Sequence, residues 1–421
     1  MVSRCAARPQ DCGLGYMKLL GLLSFCVVTC TARALDIDDL LDRFDTALTA
    51  AAFQDNLRAR LSGTIDLEVY HFEQPAPGLI NSKIDNLFNP RLTLFLDAQV
   101  GSQIYFFVQS RIDRGFDPSD RGAQIRLDEY ALRITPWNDG RFTLQLGKFA
   151  TVVGNWVSRH LSWDNPLVNA PLVYENVTPV SDKVAPASPL DFIRRFDHGK
   201  YEFNPVIWGP SYASGISVSG RLGQFDYAAE MKNSSLSSRP ESWNVTAIGF
   251  DEPAFNARLG YRPNQIWNFG LSASDGAYFR PEAERTLPRG RDIDDYRELV
   301  LGQDISFAWH HLQLWAEFYE ARFEVPRVGD ADTFAYYLEA KYKFSPQIFG
   351  ALRWNQQLFG NIDNGGRGSI RWSQDLGRID IAAGYRFTPH TQLKLQYSFQ
   401  KETTGSRDEN HTFAAQFTVR F

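Results

Sequence analysis

HTFAAQFTVRF, residues 411–421, alternates in character at every position. Phe413, Ala415, Phe417, Val419 and Phe421 fall on one side of an extended chain, and Thr412, Ala414, Gln416, Thr418 and Arg420 fall on the other. An exposed terminal strand of this kind in a water-soluble sandwich would invite edge pairing, so it would be short, charged or covered. In a sheet closed on itself within a bilayer, the apolar face meets lipid, the polar face meets the lumen, and closure removes the edge. The stretch therefore predicts a transmembrane antiparallel β-barrel.

Composition agrees with that prediction. The chain of 421 residues carries a formal net charge of −5, and its mean hydropathy is −0.32. Such polarity excludes a bundle of membrane helices, but only every second barrel residue faces lipid, so hydropathy averages away. Downstream of the leader no run approaches the roughly 20 apolar residues of a spanning helix. An aromatic share of 14% and 31 glycines suit interfacial girdles and turns.

All four cysteines, Cys5, Cys12, Cys26 and Cys30, lie in the first thirty residues. Residues 17–34, MKLLGLLSFCVVTCTARA, carry a lysine, an apolar core and a small-x-small ending at Ala32 and Ala34, which predicts a signal peptide over 1–34 cleaved near Ala34. Met17 is a candidate start, and lipoprotein processing at Cys30 is disfavoured by Thr29 before it. Removing Arg4, Arg8, Lys18, Arg33 and Asp11 with the leader leaves 40 basic and 48 acidic residues, a net charge of −8. An acidic, exported chain without thiols argues against nucleic-acid partners.

Residues 35–57 open the mature chain. Ile37, Leu40, Leu41, Phe44 and Leu48 recur there at helical spacing among aspartates, predicting an amphipathic helix that is either a periplasmic packing segment or a plug at the lumen mouth. From Arg58 to Phe421 the period is two. Alternating stretches begin with Leu61, Ile65, Leu67 and Val69 and continue at 92–100, 103–113, 125–135 and 141–150. Eleven more follow from 210–219 to 411–421, giving about sixteen strands, with 14 or 18 as alternatives. An even count returns both ends to one side. Ile134-Thr135-Pro136, Tyr261-Arg262-Pro263, Phe344-Ser345-Pro346 and Phe387-Thr388-Pro389 predict tight turns on the periplasmic rim, because proline presets a turn and lacks a ladder donor. Residues 235–252, 279–297, 323–332, 359–377 and 401–410 read as longer outer loops.

Residues 151–209, between the fifth and sixth strands, stand apart, since a connection so long usually has a function. They hold Trp156, Arg159, Trp163, Asp164, Arg194 and Arg195, a mixture of aromatics and charges suited to a packed loop. The terminal aromatic Phe421 resembles the carboxyl-terminal signal of Gram-negative outer-membrane proteins. Leu146-Gly147-Lys148-Phe149 with Gly154, and the ordinal position of the long loop, resemble the porins, whose loop after the fifth strand folds inward. The resemblance covers about residues 58–421 and implies an outer-membrane location, contact with membrane lipid, recognition of the Phe421 strand by the barrel-assembly machinery, and a homotrimer.

Strand parity assigns a lumen face. Lys341, Lys343, Arg353, Arg378, Arg386, Lys394 and Arg420 would form a basic wall on the later strands, opposed there only by Glu339 and Asp380. Asp66, Glu68 and Asp97 would lie on a more acidic wall, with Arg111, Arg258 and Arg262 among further acids. Opposed charges across a narrow lumen would orient polar solutes and set ion preference; solvated charges without that role are the plainer alternative. Trp156, Trp163, Trp208, Tyr105, Phe107, Trp315 and Tyr337 would either line a saccharide path or fill space under the loop. The seven histidines are scattered, and no short-range set has metal-ligand spacing. Asp292, Asp294 and Asp295 could hold a cation but read better as a solvated loop. No catalytic residue, cofactor or resident metal is predicted. The functional expectation is a passive channel for small hydrophilic solutes narrowed by residues 151–209. The alternatives are a channel specific for sugars or organic anions, and a plugged structural or adhesion barrel.

Overall fold

The computed structural model describes residues 34–52, 56–113, 124–194, 200–243, 249–366, 368–402 and 409–421. Residues 1–33, which hold most of the predicted leader, and Arg195 lie outside the described residues. Sixteen strands build the wall. The first eight are β1 (Leu57–Phe72), β2 (Asn86–Val100), β3 (Ile104–Asp113), β4 (Gln124–Ile134), β5 (Thr143–Phe149), β6 (Ala213–Leu222), β7 (Phe225–Lys232) and β8 (Ala254–Tyr261). The others are β9 (Trp267–Ala277), β10 (Arg297–Trp309), β11 (Leu312–Val325), β12 (Gly329–Lys343), β13 (Ile348–Phe359), β14 (Leu376–Arg386), β15 (Thr391–Glu402) and β16 (Glu409–Arg420). Each strand pairs antiparallel with the next.

β16 closes on β1, with Phe417 opposite Leu67 and Gln416 opposite Glu68. Phe421 completes the seam, exchanging backbone hydrogen bonds with Gly63 at 2.9 and 3.0 Å. A Cβ on Gly63 would stand 2.6 Å from the Phe421 ring, so the absent side chain is what lets the last aromatic lie on the first strand. The two faces follow the sequence period: Ile65, Leu67 and Val69 are exposed on the outside, and Asp66 and Glu68 are buried on the inside.

Short connections fall on one rim, at 101–103, 135–142, 223–224, 262–266, 310–311, 344–347 and 387–390. All four predicted proline turns are among them. The opposite rim carries 73–85, 150–212, 233–253, 278–296 and 360–375. The expected outer loop 323–332 is instead a tight turn, with Val325 paired to Gly329 and Arg327 at φ 62°. Phe323, Val325 and Ala331 there are buried against the inner segment, which holds β11 and β12 in register to their tips.

The N-terminal helix α1 (Ala34–Ala47) precedes a short strand, Thr49–Ala52, that pairs with the start of β1. Asp42 lies 2.9 Å from His390 in the 387–390 turn, which places α1 at the short-turn rim. Leu41 is buried, while Leu40 and Phe44 stay exposed.

Candidate functional site: the lumen and its inner segment

Residues 151–194 and 200–209 fold into the barrel, where many of their partners are lumen-facing side chains of β11–β15. The chain turns inward at Gly154, where φ is +80° and a Cβ would meet the Tyr319 hydroxyl at 2.1 Å and the Tyr174 hydroxyl at 2.5 Å. Only glycine fits such an approach. Glu317 on β11 then accepts the backbone N–H groups of Asn155 and Trp156, and the Tyr174 hydroxyl donates to it at 2.7 Å. Arg159 reaches Glu339 at 2.5 Å and the Tyr337 hydroxyl at 3.1 Å, with its guanidinium 4.2 Å from the Trp315 ring.

Further down, Lys394 donates to the carbonyl oxygens of Ser162, Asn165 and Leu167 at 2.8, 2.9 and 3.1 Å. Arg353 pairs with Glu339 at 3.2 Å and Asp380 at 3.0 Å, and donates to the carbonyl oxygens of Asn169 and Ala170. Arg378 pairs with Asp380 and with Glu175 of the segment. On the outer side Phe192 stacks on Trp372, 5.7 Å between centroids. Buried charges are tolerable only when paired and hydrogen-bonded, and here backbone carbonyls of the segment satisfy much of that demand.

The basic wall predicted on the later strands is therefore divided. Arg353, Arg378 and Lys394 are 0–2% exposed and hold the segment, so they do not face open lumen. Lys341 is buried with its Nζ 4.5 Å from the Phe349 ring, whereas Lys343 is exposed. Arg386 and Arg420 lie 5.1 and 4.1 Å from the Trp163 ring. Strand parity speaks only to the face a residue takes and carries no information about what covers that face. In the segment, Trp156 packs on Tyr174 at 4.6 Å, and Asp164 and Arg194 are exposed.

Free space remains between the segment and the β1–β4 wall, where a cavity of about 130 Å³ is bordered by Arg91, Arg111, Arg126, His160, Tyr174 and Glu175. Arg91 pairs with Asp66 at 3.2 Å and Glu68 at 2.5 Å. Arg111 pairs with Asp113 at 3.3 Å and Asp128 at 3.1 Å, and Arg126 with Asp128 at 3.4 Å. The guanidinium groups are 13–18% exposed and their carboxylates 0–2%, so the cavity meets the cations first. Asp97, lower on β2, accepts from the Tyr105 hydroxyl. A second cavity of about 570 Å³ opens towards the short-turn rim, bordered by Arg221, Arg262, Gln313 and Trp315.

Arg91 and Arg126 escaped the sequence reading for identifiable reasons. Pro90 sits inside β2 opposite Leu67, where proline reads as a strand boundary. On β4 the pairing with β3 shifts between Gln109 and Ser110, skipping Asp128. That bulge reverses parity, so counting back from Ala131 and Arg133 assigns Arg126 to lipid. Among the described residues no group of three or more His, Cys, Asp or Glu could hold a metal. Asp292 and Asp295 instead form a capping box on the short helix Ile293–Asp295.

No protein-family model matches the chain, and no curated protein matches it. Solved structures do. An anion-selective porin from Comamonas acidovorans superposes with a TM-score of 0.55 at 11% identity, covering 87% of this chain and 100% of that one. OmpF of Salmonella typhi, in complex with daunomycin, gives 0.54 at 13% identity over 88% and 100%. The trimer form of OmpT, an outer membrane protein of Vibrio cholerae, gives 0.53 at 11% identity over 87% and 100%. The fold is that of a porin-like outer-membrane β-barrel.

Proposed function

We propose that this barrel is a passive outer-membrane channel for small hydrophilic solutes, narrowed by residues 151–209 and preferring anions at the narrow point. The observation that carries the proposal is the gap between the segment and β1–β4, fronted by Arg91, Arg111 and Arg126. An approaching anion meets guanidinium groups, while the paired carboxylates lie behind them. In a narrow, low-dielectric passage that ordering raises local anion concentration. Glu175, across the gap and paired with Arg378, supplies an opposing negative end. Solutes cross by diffusion, and no chemical turnover is assigned.

The same reading includes export by the leader at 1–34, assembly guided by the Phe421 strand, contact of the outer apolar face with lipid, and association as a homotrimer. The trimer form of OmpT supports the last point by fold analogy. Reversal potentials in a salt gradient test the selectivity: a shift towards the anion potential is expected, and a cation-preferring channel would overturn it.

A second reading has its own support. The dense anchoring of the segment by Glu317, Arg353, Arg378 and Lys394 suits a plug, in which case the folded protein would pass no current.

A further inference from the structure

Beyond the narrow point, the lumen holds a second group of cations whose electrostatics differ. Arg91, Arg111, Arg126, Arg159, Arg353 and Arg378 each have a carboxylate partner within 4 Å. Lys341, Lys343 and Arg386 have no ion pair among the described residues. They lie together at the short-turn end of the lumen, below the segment. Lys341 and Lys343 share the inner face of β12, two residues and thus about 7 Å apart. Arg386 ends β14 and is held there by Gln392, which accepts from its Nε at 3.0 Å.

The wall between them is low. Lys343 faces Phe349 across the ladder and Phe349 faces Gly384, while Lys341 faces Ala351 and Ala351 faces Ala382. The tip of the Phe349 ring lies against Gly384, where a Cβ would come within 2.0 Å of it. Lys341 lies over the buried Phe349 ring, Lys343 is exposed on the same inner face, and Arg386 lies 5.1 Å from the Trp163 ring. Lys341 lies in electrostatic range of both Lys343 and Arg386, and the free attractive neighbour is the exposed Asp164. Three cations of one sign held this closely repel one another, and a bound multivalent anion would relieve that repulsion with charge-assisted hydrogen bonds.

We propose that Lys341, Lys343 and Arg386 form a binding site for a small multivalent oxyanion, a phosphate or polycarboxylate group, at the short-turn mouth of the lumen. The site is distinct from the arginines of the narrow point, and it stands on the barrel geometry whether or not the channel conducts.

Calorimetric titration of folded, heat-modifiable protein in detergent tests it, with pyrophosphate and citrate as separate probes. At least one should bind, weaken roughly tenfold or more in the K341Q/K343Q/R386Q variant, and weaken with added salt. The tighter probe identifies a phosphate or a carboxylate site. K343Q alone, at an exposed position, should weaken that binding without affecting folding. Absence of binding by both probes, or equal binding by the triple variant, would overturn the proposal. A protein that binds but passes no current would keep this site and end the channel reading; an open channel that binds neither probe would do the reverse.

Discussion

Arg353 on the barrel wall donates its Nη2 to the carbonyl oxygen of Asn169 in the inner segment at 3.0 Å, from a position with no solvent exposure. The same guanidinium spans Glu339 and Asp380, so one side chain ties three wall strands to the segment. Replacing it removes the bonds to Asn169 and Ala170 and takes one of two arginine partners from each of two buried carboxylates, leaving Glu339 with Arg159 and Asp380 with Arg378. Arg353→Met is expected to cost about 3–5 kcal/mol of unfolding free energy. Urea unfolding from lipid vesicles, read by loss of heat-modifiability, gives the value, and a change below about 1 kcal/mol would show that the segment is held elsewhere.

Gly154 is the second point of attachment. Alanine there must adopt φ +80° and displace the buried Tyr319 and Tyr174 hydroxyls. Gly154→Ala is expected to destabilise by about 1–3 kcal/mol and to expose residues 151–209 to proteolysis. Limited digestion of folded protein would show new cleavage within that span, whereas an unchanged digestion pattern would contradict the turn's role.

The sixteen strands were legible because lipid on one side and lumen on the other enforce a period of two, and because proline marks the short turns at Pro136, Pro263, Pro346 and Pro389. The inner segment was legible as an insertion, but its anchors were not. Lys394 and Lys343 share one lumen parity, yet Lys394 is buried on segment carbonyls and Lys343 is exposed. That difference arises from contacts more than two hundred residues away in sequence, which no local pattern records. Two of the three narrow-point arginines, Arg91 and Arg126, escaped for a local reason instead, a proline within β2 and a bulge at Asp128.

Arg126 tests the charge assignment at the gap. Arg126→Gln leaves Asp113 and Asp128 with Arg111 as their remaining partner, so the gap gains net negative charge. Anion preference should fall severalfold, and the effect should shrink as salt is raised. An unchanged permeability ratio would place the selectivity elsewhere in the lumen.

Glu252, on the long-loop rim, supplies a pH dependence. Burial, followed by repulsion from Asp294, Asp292, Asp251 and Glu284, pushes its carboxyl up to about 7. A carboxyl raised on folding contributes stability that is full below its unfolded value and is lost as pH rises through the folded one. Loop stability should therefore decline between about pH 4.5 and 7. Glu252→Gln should flatten that decline, matching the parent at low pH and exceeding it at neutral pH in thermal unfolding. Parallel curves for the two proteins would contradict the assignment.

Single-channel current from folded, heat-modifiable protein in a planar bilayer addresses the central claim most directly. The account predicts a steady ohmic conductance, a reversal potential on the anion side in a KCl gradient, and a larger conductance in Gly154→Ala as the segment loosens. Silence in the parent protein, with current appearing only when the segment is displaced, would contradict the open channel and leave residues 151–209 as a plug.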